Sequence, residues 1–213
     1  MEATRILAIR HGETAWNVDT RIQGHLDIPL NERGRWQAQR LGRALAARDP
    51  IDAIYSSDLE RALHTAQAIA AATGAPLATH TGLRERCFGT FEGKTYAEIE
   101  QHWPEESERW RKREPEWAPA GGESLLRMRE RVSATLQELV ARHRGEQIVL
   151  VAHGGVMDQL YRLATGQDLQ APRTWQLGNT AINRLLWTPQ GLSLVGWADT
   201  SHLEDDSLDE ISA

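Results

Sequence analysis

The sequence predicts an α/β protein in which helices layer onto a largely parallel sheet. Short apolar runs alternate with longer stretches of helical periodicity, in the order strand, helix, strand, helix, strand. Two of these runs, "LAIRHG" (7–12) and "LVAHGG" (150–155), stop in the same way, on a histidine followed by glycine. The chain has 213 residues, 40% hydrophobic and 25% charged, which is ordinary for a globular protein and enough for one domain with a buried core.

Each element has its own signal. "RILAI" (5–9) reads as the first strand. "LNERGRWQAQRLGRALAAR" (30–48) reads as the first long helix, with Asn31 as N-cap, Glu32 in the first turn and a partial apolar stripe of Trp36, Leu41, Ala44 and Leu45. "IDAIY" (51–55) is a second strand, and "SDLE" (57–60) has the Ser-x-x-Glu pattern of a capping box opening a helix that Gly74 closes. "PLATH" begins a third strand.

"TYAE" (95–98) repeats the capping-box pattern and opens a helical stretch, broken at Pro104 and Pro115, that reaches about Trp117. The segment "ESLLRMRERVSATLQELVARHRG" sets Leu125, Met128, Val132, Leu136, Leu139 and Val140 on one helical face and ends at Gly145. "QIVLV" is the most apolar strand and leads into the helix-like "VMDQLYRLATG". "AINRLLW", the turn "TPQG" and "LSLVGW" form a hairpin at the sheet edge. One domain is expected over 1–200, with an acidic, flexible tail at 201–213.

Composition narrows the function. A formal charge of −6, with Lys94 and Lys112 the only lysines, argues against nucleic-acid binding. No stretch approaches the roughly 20 apolar residues that span a bilayer, and nothing resembles a secretory leader, so a cytoplasmic protein without a membrane partner is expected. The one cysteine, Cys87, makes no internal disulfide and is read as an inert thiol. His25, His64, His80, His102, His143 and His202 lack metal-ligand spacing, and no metal is expected.

The Arg10-His11 pair is a costly way to end a strand if the chain only needs to turn. In an open α/β sheet, ligands bind beyond the carboxyl ends of parallel strands, so His11 and His153 should open onto one cleft. Arg61 lies near the start of a helix, where N–H groups and the macrodipole already favour an anion. A phosphate between them would reconcile an arginine with that position.

Six segments together, "RHGETAWN" (10–17), "RIQGHLDIPLNERGRWQA" (21–38), "IYSSDLERALHTA" (54–66), "LRERCFGTFEG" (83–93), "PAGGES" (119–124) and "VAHGG" (151–155), resemble the histidine phosphatase superfamily, which includes the cofactor-dependent phosphoglycerate mutases. The resemblance runs over roughly residues 5–197 and implies a three-layer α/β/α sandwich with a mostly parallel central sheet. It implies that His11 is the nucleophile, that Arg10 and Arg61 hold the phosphoryl oxygens, that His153 stands beside the phosphate and that Glu85 gives the leaving group its proton. Thr14, Asn17, Gln23, Gly24 and Gly154 match further phosphate contacts. No cofactor is implied, and the partner is a small phosphorylated metabolite.

In this family the segment at about 95–122 commonly forms a lid. Trp103, Trp110 and Trp117 recur there every seven residues, which favours packing of the excursion onto the body; the alternative is that some of them line the pocket and select a flat or apolar leaving group. Family mutases carry an Arg-Arg-x-Tyr-Asp-x-Pro-Pro type of segment in this interval, and "RWRKREPEWAPAGGES" lacks its Tyr-Asp-x-Pro-Pro portion. Hydrolysis of phosphomonoesters is therefore favoured over a 2,3-bisphosphoglycerate-dependent mutase. An inactive binding member would need a missing catalytic residue, and none is missing. The edge hairpin leaves both a homodimer and a bare edge open.

Overall fold

A computed structural model describes residues 2–48 and 50–204. Strands β1 (Thr4–Arg10), β2 (Ala53–Ser56), β3 (Leu77–Thr79), β4 (Gln147–Ala152), β5 (Ile182–Thr188) and β6 (Gly191–Asp199) make one sheet, in the order β3-β2-β4-β1-β5-β6. The first four of these in spatial order run parallel, β5 runs antiparallel beside β1, and β6 runs antiparallel beside β5 at the edge. The helices are α1 (Ala15–Val18), α2 (Glu32–Arg48), α3 (Glu60–Thr73), α4 (Tyr96–His102), α5 (Pro104–Arg111), α6 (Leu125–Arg142) and α7 (Gly154–Thr165).

Strand periodicity separates two cores. Leu7, Ile9, Ile54, Val149 and Val151 pack on Leu41 and Leu45 of α2 and on Ala62, Ala66 and Ile69 of α3. Ile6, Ala8, Ile148, Leu150 and Ala152 point the other way, onto Met128, Val132, Leu136 and Leu139 of α6 and onto Val156, Met157 and Leu160 of α7. The result is the three-layer α/β/α sandwich. All six residues of β4 are buried, as a parallel strand covered on both faces must be, which explains its nearly continuous apolar run.

Register sets the site. Arg10 pairs with Ala152, and Ser56 of β2 pairs with Val151. His11, Ser57 and His153 thus leave three adjacent strands at one level of the carboxyl edge.

Local signals held unevenly. Asn31 Oδ1 accepts from the Gly34 N–H at 2.7 Å, as an N-cap should. Thr95 and Glu98 form the reciprocal capping box that opens α4. The Ser57 box is corrected: α3 begins at Glu60 with Leu59 as a cap lacking any side-chain bond, and the Ser57 hydroxyl bonds His153 Nε2 while accepting only from the Leu59 N–H, at 3.3 Å. Trp36 is 39% exposed and leaves the buried stripe, because five residues separate it from Leu41 and rotate it roughly 140° away; Gln37 and Ala38 take its place. Helix α6 stops at Arg142, before the turn at Gly145.

The expected tail is also shortened. Ser201–Leu203 form a 3₁₀ turn with His202 buried, and Arg40 donates to the carbonyls of His202 and Glu204. The rest of that tail, 205–213, lies outside the described residues. Among the described residues no helix is long and apolar enough to cross a membrane.

Candidate active site

His11 and His153 face each other with ring centroids 5.2 Å apart and both rings buried. His11 Nδ1 lies 2.7 Å from the Gly12 carbonyl. A carbonyl only accepts, so Nδ1 carries the proton and Nε2 keeps its lone pair. His153 Nε2 lies 2.8 Å from the Ser57 hydroxyl, and its buried Nδ1 has no partner.

Two guanidinium groups complete this end of the cleft. Arg61 Nη2 and Nη1 donate to the carbonyls of Gly24 (2.8 Å) and Leu26 (2.9 Å), which fixes the plane and leaves Nε buried and unpartnered. Arg10 Nη1 donates to the Leu177 carbonyl, and its Nε is likewise unpartnered. Burial pushes the Arg61 pKa down to about 10 and lowers that of Arg10, with Glu85 opposing both shifts. Burial first, and then the charges of Arg61 and Arg10, hold His11 well below the usual imidazole range. The same causes, with His11 added, act on His153. The two histidines are therefore kept neutral beside two fixed cations.

Glu85 stands across the cleft on the segment after β3. The Arg86 N–H donates to its Oε1 at 2.7 Å and the Gly155 N–H to its Oε2 at 3.1 Å, so backbone groups orient both oxygens. Only glycine serves at 155, since a Cβ there would meet Glu85 Oε1 at 2.2 Å.

The loop before α2 supports the arginines. Thr14 is the N-cap of α1 and closes a capping box with Asn17; its hydroxyl also donates to Gln23 Oε1 at 3.0 Å. Thr14 is fully buried and so orients Asn17 and Gln23 rather than lining the cleft. Gly24 sits at φ +51°, where its missing side chain admits Glu92, whose Oε1 accepts from the N–H groups of His25 and Phe88.

Of these groups, Arg10, His11, Asn17, Gln23, Gly24, Arg61, Glu85 and Gly154 line one cleft of about 520 Å³, whereas His153 is fully buried beside His11 and, against expectation, does not open onto it. Helices α4 and α5 form one wall. Trp103, Trp110 and Trp117 all pack around Phe91, at 5.7, 5.5 and 5.9 Å, and Trp110 also reaches the cleft and stacks on Tyr96 at 4.8 Å. The packing reading thus holds for all three tryptophans, and Trp110 lines the pocket as well.

Sequence reasoning missed Ser57, hidden by its capping-box pattern. It also missed Arg113, Asp158, Gln159 and Arg173, which line the same cleft. The i, i+4 spacing from Gly154 and Gly155 would have pointed to Asp158 and Gln159; Arg173 has no local signal. Among the described residues, no group of three or more His, Cys, Asp or Glu side chains is placed to hold a metal ion.

The model of the histidine phosphatase superfamily (branch 1) matches residues 6–200. The chain belongs to the histidine phosphatase superfamily. It is 39% identical to phosphoglycerate mutase-like protein 4 of Arabidopsis thaliana over 208 residues, covering 96% of this chain and 89% of that one. It is 34% identical to a metal-independent phosphoserine phosphatase of the same plant, covering 95% and 84%. The solved structure of a mycobacterial glucosyl-3-phosphoglycerate phosphatase superposes with a TM-score of 0.83 at 34% identity, covering 93% of this chain and all of that one (100%). Family and named relatives give the enzyme class, a phosphatase.

Proposed function

We propose that the protein hydrolyses phosphomonoesters of small metabolites through a phosphohistidine on His11, with Arg10, Arg61, His153 and Glu85 completing the catalytic set. One observation carries this: Arg10 Nε, Arg61 Nε and His153 Nδ1 are buried without partners around one imidazole whose Nε2 is free. Buried polar atoms are normally paired, so three such groups converging ask for an oxyanion. The three equatorial oxygens of a phosphoryl group in transfer match that set.

In the first step His11 Nε2 bonds to phosphorus while the ester P–O bond breaks, and Glu85 passes its proton to the departing oxygen. In the second, Glu85 takes a proton from water, the oxygen of that water bonds to phosphorus, and the P–N bond breaks to return neutral His11 and phosphate. The amides of Asn17 and Gln23 add neutral contacts at the rim. We place the reaction in the cytoplasm, a setting supported by the free Cys87.

The test uses p-nitrophenyl phosphate with EDTA present. Wild type should release phosphate at mildly acidic to neutral pH, and His11→Ala should lose at least about a thousandfold in kcat; undiminished turnover by His11→Ala would remove the nucleophile assignment. Cys87→Ala should behave as wild type. A mutase would instead interconvert 2- and 3-phosphoglycerate only with 2,3-bisphosphoglycerate added.

A further inference from the structure

Two buried acceptors on the leaving-group side of the cleft have no partner in the protein. Asp158 and Gln159 are 4% and 1% exposed, and both line the cleft. Asp158 Oδ2 takes both of its arginine contacts, from Arg113 Nη2 at 2.7 Å and Arg162 Nε at 3.0 Å. Asp158 Oδ1 receives none, and Gln159 Oε1 is likewise unpartnered. Leaving a buried acceptor unmet is costly, so two on neighbouring residues facing one cavity suit a ligand that brings donors.

Their position says which part of the substrate they meet. Gly154 and Gly155 lie one helical turn before Asp158 and Gln159 on the same face of α7, about 6 Å along the axis. The Gly155 N–H holds Glu85, so the two acceptors leave the helix face that also orients the carboxyl assigned to the ester oxygen. A hydroxyl on the carbon next to the ester carbon lies about 3 Å from that oxygen, close enough for a neighbouring side chain on the same cleft to accept from it. Arg113, also lining the cleft, can donate to the oxygen of such a hydroxyl while Asp158 or Gln159 accepts its proton.

We infer that Asp158 and Gln159 form a subsite for the leaving alcohol, and that the preferred substrates are phosphomonoesters of polyols or sugars rather than of aryl or simple alkyl alcohols. This rests on the phosphatase reading of the same cleft. It differs from the flat or apolar leaving group that the alternative reading of the tryptophans would select.

The experiment compares kcat/KM for glycerol 1-phosphate and propyl phosphate, which differ only in two hydroxyls. Wild type should favour glycerol 1-phosphate by at least about tenfold. Gln159→Met, close in shape but without the acceptor, should reduce that ratio at least about fivefold, while Gln159→Glu, which keeps acceptor oxygens, should hold it within about twofold. A wild-type ratio near one overturns the subsite without any variant. So does Gln159→Met lowering both substrates by the same factor, or Gln159→Glu losing the preference. Failure of the phosphatase reading is separately visible, as no phosphate released from p-nitrophenyl phosphate by the same preparation.

Discussion

His11 is neutral in the folded protein because burial and two neighbouring arginines oppose its protonation, and that has a consequence for stability. His153, and to a smaller degree His202, are lowered in the same direction, chiefly by burial. In the unfolded chain these rings titrate near the ordinary value of about 6.5, so below that pH the unfolded state binds protons that the native state refuses. Stability should be full above about pH 6.5 and fall as pH drops toward the lower native values, by up to about 1.4 kcal/mol per pH unit for each such histidine. Urea unfolding between pH 8 and pH 5 measures this, and His153→Asn should flatten the slope; an equal slope in wild type and variant would refute the assignment. Gly155→Ala separates function from stability at the same scale. Its Cβ would stand 2.2 Å from Glu85 Oε1, so the carboxyl must shift, and a displacement of about 1 Å should lower kcat on the order of a hundredfold. The same Cβ meets buried Met128 Cε at 2.9 Å, which offsets alanine's helix preference, so the melting temperature should change far less than kcat.

At the scale of elements, the wall made by α4 and α5 divides between packing and binding. Phe91 is fully buried among Trp103, Trp110 and Trp117, so Phe91→Ala should cost about 3–5 kcal/mol in urea unfolding. Trp110→Ala removes a ring that lines the cleft and stacks on a half-exposed Tyr96; it should raise KM more than it lowers the midpoint. The reverse pattern would show that Trp110 is a core residue only. The contrast also shows which features a sequence carries. Strand ends, the Thr95 box and the face of α6 were legible because each depends on residues within one turn or one strand of each other. The second role of Trp110 was not, since a seven-residue repeat does not separate a ring that only packs on Phe91 from one that also stacks on Tyr96 at the cleft. Ser57 was misread for a related reason: local spacing made it a cap, but β4, some 90 residues later, delivers the His153 ring that takes its hydroxyl.

For the whole molecule, the sheet brings charge to one edge. The chain carries −6, yet the cleft at the carboxyl ends of β1 and β4 collects Arg10, Arg61, Arg113 and Arg173 against Glu85 and Asp158. A phosphomonoester dianion approaching from far away meets net repulsion, whereas within about 10 Å of the mouth it meets the arginines, since that is the screening distance at about 0.1 M salt. Concave walls of low polarisability strengthen the second effect. Arg173 is exposed, and its charge acts on Arg10, Tyr96 and Arg113, so it stands at the mouth with its field directed into the cleft. The local field should win at the encounter. Raising ionic strength from about 20 to 300 mM should then lower kcat/KM several-fold for a dianionic substrate, and Arg173→Gln should flatten the dependence while changing kcat little. A rise of kcat/KM with salt in the wild type would mean that the overall negative charge governs approach, and would leave Arg173 without this role.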